Sequence, residues 1–342
     1  MIKVGIIGAT GYAGVELVRI LLTHPDVELK KLSSVSYEGK ALSEIYPALY
    51  QDCDDILASQ QEVIDASDVV FASLPHGLSQ GIAKQAVQAG KAFIDLGADF
   101  RLNDGEVYHK WYGCTFEDQA LQDSAAYGLP ELYRERIRAA RLVANPGCYP
   151  TSVALGLYPA LQGGLCSAEG LIVDSKSGAT GAGRGLAQNT HFPELNEGFA
   201  PYKVGAHRHT PEIEQTLSQI AGQTVRVTFV PHLLPINRGI VSTIYAKSCA
   251  SLEQIHRAYC AAYEQERFVR VLPLGQAANL KNVRMTNNCH ISLHEDAHTG
   301  TLIVVSAIDN MVKGAAGQAV QNMNLLFGLP EDRGLNLIAP AM

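Results

Sequence analysis

The 342-residue sequence lacks the cysteine patterns that stabilise small secreted and metal-binding domains. Its seven cysteines are an odd number, and no two of them form a C-x-x-C pair. These patterns argue against a disulfide framework and a structural zinc knuckle. The N-terminus also lacks the cationic start, apolar core and cleavage site of a secretory signal. We therefore expect a protein of the reducing cytoplasm.

Charged residues are scarce, at 18% of the chain, and the net charge is −7. Without a cationic excess the protein has no general field that attracts polyanions, so we expect neither a nucleic-acid nor a membrane partner. An anionic ligand must instead be held by a local site. The 47% of hydrophobic residues can fill the cores of one large or two medium domains, which excludes disorder.

One long stretch, residues 142–168, has no charged residue at all. It contains three prolines and four glycines, which a simple membrane-spanning helix would not tolerate. We interpret it as protein interior around a site that needs a dry environment.

Strands and helices alternate in the first half of the sequence. Apolar runs predict strands at residues 2–8, 27–32, 69–72, 92–96 and 142–144, with helices at 15–22 and 79–89. This order is typical of a parallel sheet with helices on both faces, as in a Rossmann dinucleotide-binding domain.

The second half predicts a different architecture. Strands are expected at residues 171–175, 225–230, 239–246, 269–272, 290–293 and 302–308, with one long helix, 252–266, among them and another at 314–327. The predicted fold class is α/β, a Rossmann domain plus an α+β mixed-sheet domain that serves catalysis and oligomerisation. We expect the first to comprise residues 1–148 plus 311–342, and the second 149–310.

A glycine-rich loop joins the first strand to the first helix. It reads Gly8-Ala9-Thr10-Gly11-Tyr12-Ala13-Gly14. Glycines there permit a tight turn and bring backbone close to a pyrophosphate resting on the helix N-terminus. The spacing is G-x-x-G-x-x-G and not G-x-G-x-x-G, so a tight turn without a ligand is the alternative. We predict cofactor binding by Gly8, Thr10, Gly11, Tyr12, Ala13 and Gly14.

The end of the second predicted strand indicates which nicotinamide cofactor is used. An acid there would bind a ribose 2′-hydroxyl and repel a 2′-phosphate. The chain instead has Ser34 and Ser36, and no acid precedes Glu38. Hydroxyl donors favour NADP(H).

Cys148 is the candidate nucleophile. It follows Asn145-Pro146-Gly147 and precedes a predicted helix over residues 152–161 that Thr151 or Ser152 would cap. A cysteine at a helix N-terminus has a lowered pKa and a larger thiolate fraction. The alternative, a small buried hydrophobe, suits the other six cysteines better.

The segment His207-Arg208-His209-Thr210-Pro211-Glu212 is the densest titratable cluster. In an extended segment, alternation would place both imidazoles on one side and Arg208 on the other. The histidines are candidates for the proton partner of Cys148. A metal site lacks an evident third ligand, and two structural histidines are the remaining alternative.

A second glycine-rich loop, residues 175–185, carries Lys176 and Arg184. It predicts an anion-binding cradle, with a mobile solvated loop as the alternative.

Together these segments resemble the N-acetyl-γ-glutamyl-phosphate reductases, relatives of the aspartate-semialdehyde dehydrogenases. The resemblance covers nearly the whole chain. It rests on residues 8–14, 73–77, 99–102, 127–131, 145–151, 175–184, 207–212, 231–239 and 310–318. The 145–151 and 207–212 segments together are highly specific. One departure is Val35, where many relatives carry an arginine that would grip the 2′-phosphate.

The resemblance implies NADPH-dependent reduction of an acyl phosphate to a semialdehyde, with release of phosphate. It implies Cys148 as nucleophile and His209 as acid/base, with Glu212 near that histidine. It places His76, Asn310 and Gly314 near the cofactor. It makes Arg101, Lys176, Arg184, His207 and Arg208 candidates for the substrate. It further implies a C-terminal helix packed on the first domain, no metal, and a homodimer or homotetramer formed through the second domain.

The residues leave alternatives open at this point. The choice between His207 and His209 is open, as is the acyl chain, since aspartyl phosphate and N-acetyl-aminoadipyl phosphate are related substrates. A non-catalytic NADP sensor and a cysteine hydrolase on a dinucleotide fold are the rival classes.

Overall fold

The computed structural model describes residues 1–341, which divide into two compact units. One unit comprises Met1–Pro146 and Ala315–Asn336. The other comprises Gly147–Gly314 and the described residues after Asn336.

The first unit is built from alternating strands and helices. In chain order they are β1 (Ile2–Ile7), α1 (Tyr12–Leu21), β2 (Val27–Ser33), α2 (Leu42–Ile45), α3 (Gln60–Ala66), β3 (Val69–Ala72), α4 (Gln80–Gln88), β4 (Ala92–Asp95), α5 (Gly105–Tyr112), α6 (Gln119–Ser124), β5 (Ala126–Tyr127), α7 (Pro130–Arg138) and β6 (Leu142–Ala144).

Its six strands form one parallel sheet in the order β2-β1-β3-β4-β6-β5. Strand β3, at the centre of the sheet, is apolar and buried at every position, because helices cover both faces of a parallel sheet. The strand order reverses at β1, beside β3. In such sheets ligands bind at the carboxyl ends of the strands next to that reversal.

The second unit begins at Gly147, directly before the helix that carries Cys148. Its elements are α8 (Cys148–Gln162), β7 (Leu171–Ser177), α9 (Phe192–Leu195), β8 (Ala200–Pro201), α10 (Thr210–Ala221), β9 (Val227–Leu233), β10 (Ile240–Lys247), α11 (Leu252–Tyr263), β11 (Val269–Val271), β12 (Cys289–Asp296) and β13 (Thr301–Ile308). A π-helical turn, Val312–Ala316, follows β13 and leads into α12 (Gly317–Leu326). The predicted helix over residues 314–327 is therefore a π-helical turn and a shorter α-helix. α12 packs against α1 and α7.

The strands of the second unit form a seven-stranded mixed sheet in the order β11-β12-β13-β10-β7-β9-β8. Helix α8 packs on one face of it. Tyr259 and Tyr263 of α11 donate hydrogen bonds to carbonyl groups of α8, and buried serines of α8 and the sheet bond to one another. The expectation of one long helix among these strands was wrong, because α10 is as long as α11.

Candidate active site

Cys148 is the first residue of α8, and Gly147 is the N-cap residue. The predicted helix start at residue 152 was wrong, and neither Thr151 nor Ser152 caps the helix. Ser152 lies inside it, and its hydroxyl donates to Ser242 of the sheet. Because Gly147 has no side chain, no capping side chain occupies the N–H groups of the first turn, a position where an anion is stabilised.

Glu212 fixes the start of α8 from a second helix. It lies in the first turn of α10 and is fully buried. Its Oε1 accepts a hydrogen bond of 2.8 Å from the Gly147 N–H. The carboxylate thereby satisfies the backbone donor immediately before Cys148.

The two histidines lie side by side on a turn, so the extended arrangement considered for them is not the one observed. Thr210 N–H donates to the His207 carbonyl, and His209 is the N-cap residue of α10. The ring centroids are 4.9 Å apart, and both rings contact Tyr149, which follows Cys148 in the chain.

The surroundings of His207 keep its ring neutral. Burial, followed by the charges of His209, Lys203 and Arg208, lowers the pKa of His207 to about 2. Its Nδ1 also accepts a hydrogen bond of 3.1 Å from the His209 N–H, which requires the neutral ring. His207 is therefore neutral across the physiological range.

Three aromatic residues complete this cluster, and the sequence did not indicate them. The Tyr149 and Tyr202 hydroxyls are 2.9 Å apart, and Phe229 contacts the His207 ring. Burial raises the pKa of Tyr202 to about 12. Only the position of Tyr149 beside Cys148 was a usable signal, since Tyr202 and Phe229 come from distant elements.

Asn310 anchors the second glycine-rich loop. Its Oδ1 accepts from the Gly239 N–H at 2.6 Å, and its Nδ2 donates to Thr180 Oγ1 at 3.1 Å. The Thr180 hydroxyl in turn donates to the Asn237 carbonyl. This amide is thus engaged within its own unit, and its predicted contact with the cofactor stays a prediction. Arg184, further along the loop, is exposed.

Lys176 lies on the other face of the sheet from α8. Along β7, Ser175 points to the face that α8 covers, where it bonds to Ser242. Alternation places Lys176 on the opposite face, where its ammonium lies 2.7 Å from Asp174 Oδ2. The predicted contact of Lys176 with the substrate stays a prediction. Arg208 is half-buried, and its charge acts on His207.

The first unit holds the predicted nucleotide loop. Gly8 has φ +85°, and a Cβ there would lie 2.3 Å from the Ser73 carbonyl oxygen. A Cβ on Gly14 would lie 2.2 Å from the Gly8 carbonyl oxygen. Gly11 is the N-cap residue of α1, with no side-chain cap, so the first N–H groups of α1 suit a pyrophosphate. The chain around Thr10, Tyr12 and Ala13 thus fits a dinucleotide.

The two serines after β2 differ in exposure. Ser34 is buried, and its Oγ lies 2.7 Å from Thr10 Oγ1, which ties the loop to the strand. Ser36 is exposed, as is Val35, which is 77% exposed. Ser36 is the better placed of the two to donate to a phosphate.

Asp99 holds the loop that carries His76. Its carboxylate accepts from the Gly77 and Ser79 N–H groups at 2.6 and 2.8 Å and from the Tyr108 hydroxyl at 2.9 Å. The His76 ring packs against Tyr112. The sequence placed Asp99 in a matching motif but did not indicate this role.

Arg101 is buried in the first unit. Its Nε donates to the Asn145 carbonyl at 2.8 Å and its Nη2 to the Leu96 carbonyl at 2.7 Å. These contacts tie the loops that follow β4 and β6. Its predicted contact with a substrate anion stays a prediction.

Within residues 1–341 no helix is both long and apolar enough to cross a bilayer. Nor does that part of the chain bring three histidine, cysteine or acidic side chains together as metal ligands.

The chain is similar to known proteins over its full length. Residues 3–140 match the semialdehyde dehydrogenase NAD binding domain, and residues 148–310 match the semialdehyde dehydrogenase dimerisation domain. The N-acetyl-gamma-glutamyl-phosphate reductase of Clostridium beijerinckii is 58% identical, with 100% of each chain covered. That of Brachyspira hyodysenteriae is 56% identical, also with 100% of each covered.

The fold is shared with a more distant solved structure. Aspartate semialdehyde dehydrogenase II from Vibrio cholerae matches with a TM-score of 0.73 and 18% identity, over 96% of this chain and 99% of that one. From the full-length relatives, the chain belongs to the N-acetyl-gamma-glutamyl-phosphate reductase family.

Proposed function

We propose that the protein reduces N-acetyl-γ-glutamyl phosphate to N-acetyl-glutamate 5-semialdehyde with NADPH and releases phosphate, a step of arginine biosynthesis. The observation that carries the proposal is Cys148 at the open N-terminus of α8, in the same unit as the His207–His209 pair. The relatives at 58% and 56% identity support the same substrate.

The Cys148 thiolate attacks the acyl-phosphate carbonyl, and phosphate leaves with the bonding electrons as the thioester forms. Sulfur suits this step because a thioester carbon is more electrophilic than that of an oxygen ester. Arg184 and Arg208 are the cations of this unit that we assign to the anionic groups of the substrate. Bound NADPH supplies the hydride that reduces the thioester carbon.

His209 is the acid that protonates the oxygen of the reduced thioester. His207 is unsuited to this role because burial keeps it neutral, and its Nδ1 accepts from the His209 N–H. The hydroxyl of the resulting hemithioacetal then returns its proton to His209 as the C–S bond breaks, which gives the aldehyde and regenerates the Cys148 thiolate. Gly8, Gly11 and Gly14 would hold the pyrophosphate, and Ser36 would donate to the 2′-phosphate.

The reverse reaction tests these assignments, with N-acetyl-glutamate semialdehyde, phosphate and NADP⁺ followed at the absorbance of NADPH. We expect Cys148→Ser to lower kcat by at least about 10³-fold, because no thioester forms. His209→Asn should lower it by about 10²–10⁴-fold. Cys249→Ser, which alters an exposed cysteine of the same unit, is the control and should match the wild type.

Near-normal turnover of the Cys148→Ser variant would contradict the proposal. A His209→Asn variant with the wild-type rate and pH profile would move the acid/base role to His207. Release of acid from the acyl phosphate without any cofactor would instead identify a hydrolase.

We further propose that the substrate carries the N-acetyl-glutamyl chain, that the protein is a homodimer or homotetramer, and that it is cytoplasmic. One methylene in a pocket changes discrimination by only about 1–3 kcal/mol, so kcat/KM must be compared on the aspartyl, N-acetyl-glutamyl and N-acetyl-aminoadipyl phosphates.

A cytoplasmic homodimer or homotetramer, formed through residues 149–310, is consistent with the match to a dimerisation domain. Light scattering after gel filtration distinguishes the two assemblies. Residues 1–148 plus 311–342 remain our assignment for the nucleotide-binding domain.

A further inference from the structure

The main chain that follows β13 lies directly against the nucleophile. A Cβ added to Gly314 would lie 2.7 Å from Cys148 Cβ and 3.2 Å from Cys148 Cα. Such distances leave no room for any side chain at position 314. The backbone of Gly314 therefore restricts the direction of the Cα–Cβ bond of Cys148.

Asp309 determines the course of the chain up to Gly314. Its side chain is fully buried, and Oδ1 accepts from the N–H groups of Met311 and Val312 at 2.8 and 3.1 Å. Its carbonyl accepts from the Gly314 N–H at 2.9 Å. This last bond spans five residues, the spacing of a π-helical turn, a rare structure found frequently at functional sites.

The second carboxylate oxygen anchors Asp309 itself. Oδ2 accepts from the Met285 N–H at 2.6 Å, and Met285 is held at φ +61°, in the left-handed region. The Arg238 guanidinium lies 3.8 Å from the same oxygen. Met285 and Arg238 thus hold Oδ2 of Asp309, while Oδ1 accepts the hydrogen bonds of the turn.

We propose that Asp309 is a positioning residue for Cys148. Its carboxylate and carbonyl hold the turn through Gly314, and Gly314 holds the Cα–Cβ bond from which the sulfur extends. This inference rests on the proposed role of Cys148 as nucleophile. Nucleophilic attack requires reacting atoms about 3–3.5 Å apart, and a displacement of about 1 Å costs about 10²-fold in rate.

The test is Asp309→Asn. The amide oxygen of Asn can still accept from the Met311 and Val312 N–H groups. Its NH₂ group would then face the Met285 N–H, so that hydrogen bond is lost together with the negative charge. We expect kcat to fall about 10²-fold with KM for NADP⁺ changed less than about twofold. Glu214→Gln is the matched control, because that carboxylate also accepts a backbone N–H in the same unit. It should behave as the wild type.

A readout besides activity is the rate at which iodoacetamide alkylates Cys148, followed by mass spectrometry as pH is varied. Loss of the Asp309 charge alone would lower the thiol pKa, whereas displacement of the sulfur from the helix N-terminus would raise it. We expect the midpoint of the profile to move to higher pH. The titratable groups around the start of α8 are the same in both proteins, namely Tyr149, Tyr202, His207, His209 and Glu212. Arg238 and Lys313 are likewise unchanged.

Gly314→Ala tests the same contact from the other end and serves if Asp309→Asn does not fold. Its methyl group must displace Cys148, so the same loss of kcat and the same shifted profile are expected. A wild-type kcat and profile in either folded variant would overturn the positioning role. A wild-type Cys148 that is alkylated no faster than Cys249 would instead overturn the proposed function, and the inference with it.

Discussion

Cys148 and Cys166 belong to the same unit but lie in different surroundings. Burial raises the pKa of Cys166 to about 12, which leaves it an inert thiol. Cys148 begins a helix whose N-cap is a glycine. The sequence predicted from the Asn-Pro-Gly segment that Cys148 lies at a helix N-terminus, but it assigned the capping residue wrongly. Thr151 and Ser152 are good capping residues by type, yet both are fully buried inside α8.

Asp95 in the first unit is a residue whose protonation affects folding. It is fully buried, and its Oδ1 accepts from the Ser79 hydroxyl and the Gly97 N–H at 2.8 and 3.0 Å. Burial, reinforced by the Asp99 carboxylate, raises its pKa to about 6. Because this folded-state pKa exceeds the unfolded value, Asp95 contributes stability that is present at low pH and lost as pH rises through about 6.

We therefore expect Asp95→Asn, which mimics the protonated acid, to be more stable than the wild type at about pH 8. The gain should be up to about 3 kcal/mol and should vanish towards about pH 4. Thermal unfolding of both proteins across this range measures it. Asp65→Asn, at an exposed position on α3, should show no such dependence. An Asp95→Asn variant that is less stable than the wild type at about pH 8 would contradict the assignment.

At the scale of elements, the sequence predicted the first unit better than the second. The predicted strands 69–72 and 142–144 coincide with β3 and β6, because buried parallel strands are short apolar runs that breakers delimit. The sequence analysis did not predict helix α10, whose first turn lies inside the His207–Glu212 cluster. Pro211 near its first position was an unused signal of a helix start.

Contacts between distant elements explain what the sequence could not predict. Asp309 meets Met285 and Asn310 meets Gly239, across 24 and 71 residues. No local pattern encodes such pairs, because each depends on how β13 is placed beside its neighbours in the sheet. Tyr202 likewise reaches Tyr149 only once its loop has packed.

The end of β2 carries a prediction about cofactor choice. Ser36 is exposed, whereas the Ser34 hydroxyl is hydrogen-bonded to the Thr10 hydroxyl. An acid at position 36 should repel the 2′-phosphate, so we expect Ser36→Asp to raise KM for NADPH about tenfold, or about 1.4 kcal/mol. KM for NADH should change much less. Gln88→Glu adds the same charge at an exposed position near the end of α4 and should alter neither value. If the ratio of KM for NADPH to KM for NADH is unchanged in the Ser36→Asp variant, the 2′-phosphate binds away from position 36.

At the scale of the whole molecule, buried histidines in both units make stability depend on pH. Burial lowers the pKa of His24 in the first unit and of His207 and His290 in the second. A folded-state pKa below the unfolded value of about 6.5 means that the unfolded chain binds more protons in acid. Stability should therefore fall as pH drops below about 6.5, opposite in sign to the effect of Asp95.

His290 is the cleanest probe of this effect because it lies on β12, away from the candidate nucleophile's helix turn and the histidine pair. Its ring is 8% exposed, and neither nitrogen meets a hydrogen-bonding partner within the described residues. We expect His290→Leu to reduce the loss of stability below about pH 6.5 by up to about 1.4 kcal/mol per pH unit, the effect of one proton. The melting temperature measured against pH gives this slope. His298→Gln, at an exposed position in the β12–β13 turn, should keep the wild-type slope. Equal slopes for His290→Leu and the wild type would mean that the unfolded chain gains no proton relative to the folded one at this residue, and acid sensitivity would then have to come from His24 and His207.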